Sequence, residues 1–363
     1  MNTEQITMNN EDININNELK HTISMELINK YELQENDETI LQIGCGVVGS
    51  ANIKGYKYHG FNVLGLDVIP EIIEKMNCDG IETRHPKDDL TDWGNVSIIL
   101  ISVPTPLNYE TKKLNLKYIW STVPTVIQMI QQSSSEVIIV MRSTVPPGLT
   151  AKYERKINYE LHKSKCNKNF YVSFVPEFLR AVTAEQDACH PWKVLLGFKH
   201  NDIEVYTRMK QALLRFVDND ERNFKSMTIE EAELHKYIHN YYNAMKISFS
   251  NAMYGLVNAI NDEEKIDMDA QRIMDIVAST SEGYLNPRYG IRVGAKYGGM
   301  CLSKDPQSLI TLSKEYDVDD RIFNFLNGTE EVNNWIDENK DIQIEMKFSP
   351  NLISNKKMKD ACK

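Results

Sequence analysis

Apolar positions along the chain fall into two regimes. Up to about residue 217, short apolar runs at Thr39 to Ile43, Asn62 to Leu66, Val96 to Val103, Glu136 to Met141 and Tyr171 to Phe174 read as strands, mostly apolar throughout as in a sheet covered on both faces. Between them lie helical stretches, clearest at Val47 to Tyr58, Tyr118 to Gln132 and Leu149 to Leu161. That alternation predicts a doubly wound α/β sheet. The second regime opens at Met227-Thr228-Ile229-Glu230-Glu231, where Thr228 and Glu231 have the spacing of a capping box. A helix is expected to follow to about Ile260, on the order of 50 Å long at 1.5 Å per residue. Shorter helices are expected at Pro306 to Glu315 and Arg321 to Asn334. The domains read as a mobile polar extension over 1–36, with a helical turn at Met25 to Tyr31, then a sheet domain over 37–217, a helical domain over 218–316 and a tail over 317–363.

The first strand runs directly into Gly44-Cys45-Gly46-Val47-Val48-Gly49, a Gly-x-Gly-x-x-Gly that opens a helix, and the second strand ends in Asp67. Strand, glycine turn, helix and acidic strand end together form a dinucleotide fingerprint. Gly44, Gly46, Gly49 and the valines between them are expected to hold a pyrophosphate at the helix amino end, with Asp67 accepting from ribose hydroxyls. A carboxylate there repels a 2'-phosphate and Val68 and Ile69 supply no cation, so the cofactor expected is NAD and not NADP.

A net charge of -10, from 51 acidic and 41 basic residues, argues against a nucleic-acid or anionic-membrane surface. The six cysteines are scattered without a Cys-x-x-Cys pair, and neither a secretory signal nor a spanning apolar run is legible, so a cytoplasmic protein is expected. His235 and His239 are four residues apart, but the glutamate of a His-Glu-x-x-His motif is missing and no third ligand is indicated, so no metal is expected.

One cysteine has unusual neighbours. Gly298-Gly299-Met300-Cys301-Leu302-Ser303-Lys304-Asp305 places a thiol on a glycine-floored loop with an amine and a carboxylate close behind, an arrangement suited to a reactive thiolate. Lys236 and Asn240 lie one turn apart on one face of the long helix, so an amine and an amide can converge on one oxygen.

These stretches resemble motifs of the UDP-glucose/GDP-mannose dehydrogenase family. The cysteine loop matches Gly-Gly-x-Cys-[Leu/Phe]-Pro-Lys-Asp with Ser303 in place of proline, and Val103-Pro104-Thr105-Pro106, Ser143-Thr144-Val145-Pro146-Pro147-Gly148, Pro176-Glu177-Phe178-Leu179 and Ala232-Glu233-Leu234-His235-Lys236 with Asn240 follow the family's order. Two departures occur near Glu177: Val175 replaces the usual Asn, and Ala181-Val182 replaces the usual Glu-Gly. The resemblance implies a Rossmann-like NAD domain and a helical domain whose long helix forms the centre of a homodimer; typical members add a second Rossmann-like domain, which is expected to be missing here because only 58 residues follow Asp305.

The resemblance also implies four-electron oxidation of a sugar-nucleotide C6 alcohol, UDP-glucose first, with GDP-mannose or a UDP-N-acetylhexosamine as alternatives. Cys301 is the implied nucleophile, Lys236 and Asn240 stabilise the oxyanion, Asp305 orients Lys236 and a water, and Thr144 and Glu177 hold the hydrolytic water. Val103, Thr105, Thr144 and Lys304 are implied to line the cofactor, and Glu177, Phe178, Leu179, Lys236, Asn240 and Gly298 the substrate. A non-catalytic NAD or sugar-nucleotide module and a two-electron hydroxyacid dehydrogenase are the rival readings; two, none or one NADH per substrate separates the three.

Overall fold

The computed structural model describes residues 38–338 except 112, 181, 288, 292–295, 299–301, 303 and 304. Cys301 and Lys304, the extension over 1–36 and the chain beyond 338 therefore lie outside the described residues. Contacts divide the chain into two compact units, meeting in sequence at Asn240 and Tyr241.

In the first unit, β1 (Thr39–Ile43), α1 (Val47–Tyr58), β2 (Asn62–Leu66), α2 (Pro70–Cys78), β3 (Thr83–Arg84) and β4 (Val96–Ile101) are followed by a short hairpin, β5 (Leu107–Asn108) and β6 (Lys113–Leu114). After it come α3 (Lys117–Ser121), α4 (Val123–Gln132), β7 (Val137–Met141), α5 (Leu149–Lys163), β8 (Phe170–Phe174), α6 (Ala184–Cys189), β9 (Val194–Gly197), α7 (Ile203–Leu214) and β10 (Phe224–Met227). Eight strands form one sheet in the order β10-β9-β8-β7-β4-β1-β2-β3. The six from β3 to β8 are mutually parallel, and β9 joins antiparallel to β8. That six-strand order, with β1 and β4 side by side, is the doubly wound arrangement that binds dinucleotides at the strand ends.

The strand sequences account for this packing. Every residue of β4 (Val-Ser-Ile-Ile-Leu-Ile) and β7 (Val-Ile-Ile-Val-Met) is buried. Two apolar cores result, one on each face: Leu41, Ile99, Ile139 and Val172 point to one side, Ile40, Ile98, Ile138 and Val140 to the other. The helix expected over Tyr118 to Gln132 is broken between Ser121 and Val123. Pro124 is the cause, since its ring has no N–H for the preceding turn and suits the start of a new helix. β4 stops at Ile101, two residues short of the expected end, as the chain leaves the sheet toward Pro104.

The long helix α8 (Ile229–Glu264) starts with the expected capping box: Thr228 N–H donates to Glu231 Oε2 at 2.9 Å and Glu231 N–H returns to Thr228 Oγ1 at 3.3 Å. Its first three turns belong to the first unit, which extends past the boundary expected at Val217 because Ile229 and Ala232 join the sheet core. The second unit holds the rest of α8 with α9 (Ala270–Thr280), α10 (Glu282–Leu285), α11 (Asp305–Glu315) and α12 (Asp320–Glu338). Leu256, Val257, Ile310, Val318 and Leu326 are buried in it.

Candidate functional site

The glycine loop is braced from beneath. Gln42, a fully buried polar residue of β1, donates from Nε2 to the carbonyls of Ile43 and Gly44, both at 3.1 Å. Gly44 sits at φ +83°, a left-handed conformation that favours glycine. A Cβ on Gly49 would lie 1.8 Å from the Gly44 carbonyl oxygen, so this third glycine is what lets α1 pack against the turn. Gly46 differs: a Cβ there would meet nothing within 4 Å. Gly46 also caps α1 without a side-chain hydrogen bond, and the first turn contains no acidic residue. Val47 is exposed and Val48 half-buried. The amino end of α1 is thus open to an anion, with the helix dipole and first-turn N–H groups in its favour. These features fit the pyrophosphate of a dinucleotide.

Asp67, at the end of β2, is buried and closes over the loop. Its Oδ2 accepts from Cys45 N–H at 2.7 Å and its Oδ1 from Ile69 N–H at 3.0 Å. The carboxylate fixes the turn from the end of β2. Burial, with Asp67 adding repulsion, pushes the Cys45 thiol up to about 12, so this cysteine is an inert packing residue.

The loops after β4 and β7 are tied together: Ser143 Oγ donates to Val103 O at 2.7 Å and Thr105 Oγ1 to Thr144 O at 2.9 Å. Val103, Thr105 and Thr144 therefore form one half-buried ridge at the carboxyl edge of the sheet. After β8, Glu177 pairs with Lys236 of α8, Oε1 to Nζ 3.0 Å, with side-chain exposures of 15% and 6%. Lys236 Nζ also donates to the Glu177 carbonyl, while Leu179 N–H holds Glu177 Oε2 at 2.8 Å. Phe178 lies 5.5 Å from the ammonium by its ring centroid and packs against His239 at 4.9 Å. Burial and the Lys236 charge push the protonation of His235 and His239 down. Among the described residues no group of three His, Cys, Asp or Glu could hold a metal. Nor does any described helix have the length and apolarity to cross a membrane.

The structure thus brings Glu177, Phe178, Leu179 and Lys236 together, and Val103, Thr105 and Thr144 together. Asn240 is exposed one turn beyond Lys236 on α8. In the second unit, Gly298 is exposed and Asp305 opens α11. Tyr297, beside Gly298, is anchored to α12: its N–H donates to Asn333 Oδ1 at 2.8 Å and its hydroxyl to Glu330 Oε2 at 2.5 Å. Sequence reasoning missed Gln42, and it gave no role to Glu233, whose carboxylate is fully buried. A polar residue amid an otherwise apolar strand was the available signal for Gln42.

Fold and loop together define a dinucleotide-binding α/β protein. Residues 88–215 match the NAD binding domain of the UDP-glucose/GDP-mannose dehydrogenase family and residues 230–335 its central domain, and the chain belongs to that family. The glycine loop and Asp67 precede the first matched span. Over 301 residues the chain is 26% identical to GDP-mannose 6-dehydrogenase of Pseudomonas aeruginosa, covering 76% of this chain and 64% of that protein. It is 29% identical over 300 residues to UDP-glucose 6-dehydrogenase of Rickettsia typhi, covering 77% of this chain and 64% of that protein. The chain thus spans a little under two thirds of either relative. In fold it is similar to GDP-mannose dehydrogenase of P. aeruginosa solved as a ternary complex, with a TM-score of 0.67 at 24% identity over 80% of this chain and 68% of that one. The UDP-glucose dehydrogenase of Pyrobaculum islandicum gives a TM-score of 0.56 at 23% identity, over 81% of this chain and 68% of that one.

Proposed function

We propose that the protein oxidises the C6 alcohol of a nucleotide sugar to the carboxylate, with Cys301 as covalent nucleophile. NAD, held by Gly44, Gly46, Gly49 and Asp67, supplies the oxidising power for both two-electron steps. The Cys301 thiolate adds to the aldehyde carbon, forming a C–S bond and an oxyanion. Oxidation of that adduct leaves a thioester, and water cleaves the C–S bond to give the acid and the free thiol. Lys236 and Asn240 donate to the oxyanion, a contribution of roughly 3–4 kcal/mol per donor. Glu177 and Thr144 orient the water, the carboxylate taking its proton.

The observation that carries this reading is the buried Lys236–Glu177 pair after β8, at the same edge of the sheet as a glycine loop fitted to a dinucleotide. UDP-glucose and GDP-mannose are both candidate substrates, since relatives named for each match at similar identity. We further propose a homodimer joined along α8, where Ile238, Tyr241, Ile247 and Tyr254 are exposed; sedimentation at a series of concentrations tests it. For the reaction, NADH is counted per molecule of UDP-glucose, GDP-mannose and a UDP-N-acetylhexosamine consumed. Two per substrate with one of these, and loss of acid formation in Cys301→Ser with NAD binding kept, is the expected result. A yield of one, or full acid formation by Cys301→Ser, overturns it.

A further inference from the structure

The turn of α8 that carries Lys236 carries a second buried charged side chain. Glu233 is 0% exposed, and its carboxylate reaches the amino end of α5. Oε1 accepts from Thr150 N–H at 2.8 Å and Thr150 Oγ1 at 2.6 Å, and Oε2 accepts from Gly148 N–H. α5 has no side-chain cap of its own, because Gly148 stands at its cap position. A carboxylate from another helix supplies the acceptors that the first-turn N–H groups need, and the α5 dipole favours its charge.

Two fastenings therefore leave α8 one turn apart. Glu233 holds the end of the loop that carries Thr144, four residues before Gly148, and Lys236 holds the Glu177 loop. A cap for α5 alone needs neither a partner three residues from Lys236 nor complete burial.

We propose that Glu233 is a positioning residue, clamping α8 to the amino end of α5, and so to the end of the Thr144 loop, at the rotation and height at which the Lys236 ammonium meets Glu177. This rests on the reading of Lys236, Glu177 and Thr144 given above. Glu233→Gln presents an amide donor to one of the three donors and so loosens the clamp. Thr150→Val removes only the hydroxyl bond and is the milder test should the first variant not fold.

The test measures acetylation of Lys236 by acetic anhydride, read by peptide mass spectrometry against Lys54 and Lys156, together with kcat, the NAD Kd and Tm. Lys236 labelling rises several-fold in both variants while the two control lysines are unchanged. With turnover, kcat falls by roughly tenfold or more, since small misplacements of reacting groups are costly, and the NAD Kd stays put. A lower Tm with Lys236 labelling and kcat unchanged overturns the proposal and leaves Glu233 a helix cap. Failure of the wild-type protein to oxidise any of the sugar nucleotides, with the labelling rise still seen in both variants, overturns the assigned reaction and not the clamp.

Discussion

Alanine at Gly49 and at Gly46 separates what the glycine loop does for folding from what it does for the cofactor. A Cβ at Gly49 would stand 1.8 Å from the Gly44 carbonyl oxygen, whereas real Cβ contacts essentially never fall below 3.0 Å, so turn and helix must part by at least the difference, 1.2 Å. The turn has little room to yield, because Gly44 N–H donates to Leu66 O at 2.8 Å and Gly44 O accepts from Gln42. A displacement of that size breaks the bond to Leu66. Overpacking and an orphaned buried backbone group together cost roughly 2–6 kcal/mol. At Gly46 the same methyl meets nothing within 4 Å, so the fold is untouched and only an incoming pyrophosphate is obstructed.

Thermal unfolding and NAD titration calorimetry on both variants give the contrast. Gly49→Ala loses roughly 5–20 °C in Tm and its NAD affinity. Gly46→Ala keeps the wild-type Tm and binds NAD at least about tenfold more weakly, equivalent to 1.4 kcal/mol. Gly46→Ala with an unchanged NAD Kd would refute the placement of the pyrophosphate, and Gly49→Ala with an unchanged Tm would refute the packing argument.

Asp67→Ala removes a charge-assisted bond from the loop as well as the proposed ribose acceptor, so NAD should weaken by roughly 1.5–3 kcal/mol, and the preference for NAD over NADP should narrow in parallel titrations. Lys236→Met strands the Glu177 carboxylate and should destabilise by about 3 kcal/mol in urea, the low end for a broken buried pair because Leu179 N–H still holds Glu177. The Lys236→Met/Glu177→Gln double variant should recover much of that, and no recovery would mean that the pair carries no buried-charge penalty. With its thiol pushed up to about 12, Cys45 should resist iodoacetamide at pH 8 while exposed Cys78 reacts; equal labelling by mass spectrometry would contradict the burial. The same shift has a sign: unfolded Cys45 ionises near its ordinary 9.0 and folded Cys45 does not, so this group's contribution to stability falls as pH rises from about 9 toward 12.

The glycine loop was legible because its constraints are conformational and each acts on one residue type at a fixed spacing. Asp67 was legible for a similar reason, standing where a strand ends. Its bond to Cys45 N–H was not, since a backbone amide leaves no mark in the sequence. The capping box of α8 was readable from Thr228 and Glu231, whereas Glu233 was not, because its partners lie more than eighty residues away and appear only once α5 and α8 pack. β3 has two residues and β9 and β10 four each, too short for an apolar period to rise above neighbouring helix, and they went unread. The histidines gave an ambiguous spacing, and what the spacing could not show is that His239 packs against Phe178.

The Lys236–Glu177 contact looks at first like a mutual cancellation of the two groups on which the proposed chemistry depends. An ammonium has three N–H donors in a compact tetrahedral head. In this structure Glu177 offers it two acceptors, Oε1 and the backbone carbonyl. The carbonyl is the steadier of these, because it belongs to the chain leaving β8 and does not turn when the carboxylate does. Should Glu177 swing toward a water, Lys236 keeps its backbone anchor, retains its position, and has donors to give to an oxyanion. Leu179 N–H would do the corresponding service for the carboxylate, holding Oε2 at 2.8 Å should Oε1 leave the ammonium. In the proposed reaction the pair would serve as a resting arrangement: each charge is neutralised by the other and each has a separate backbone tether, so that breaking the ion pair would free both groups without releasing either.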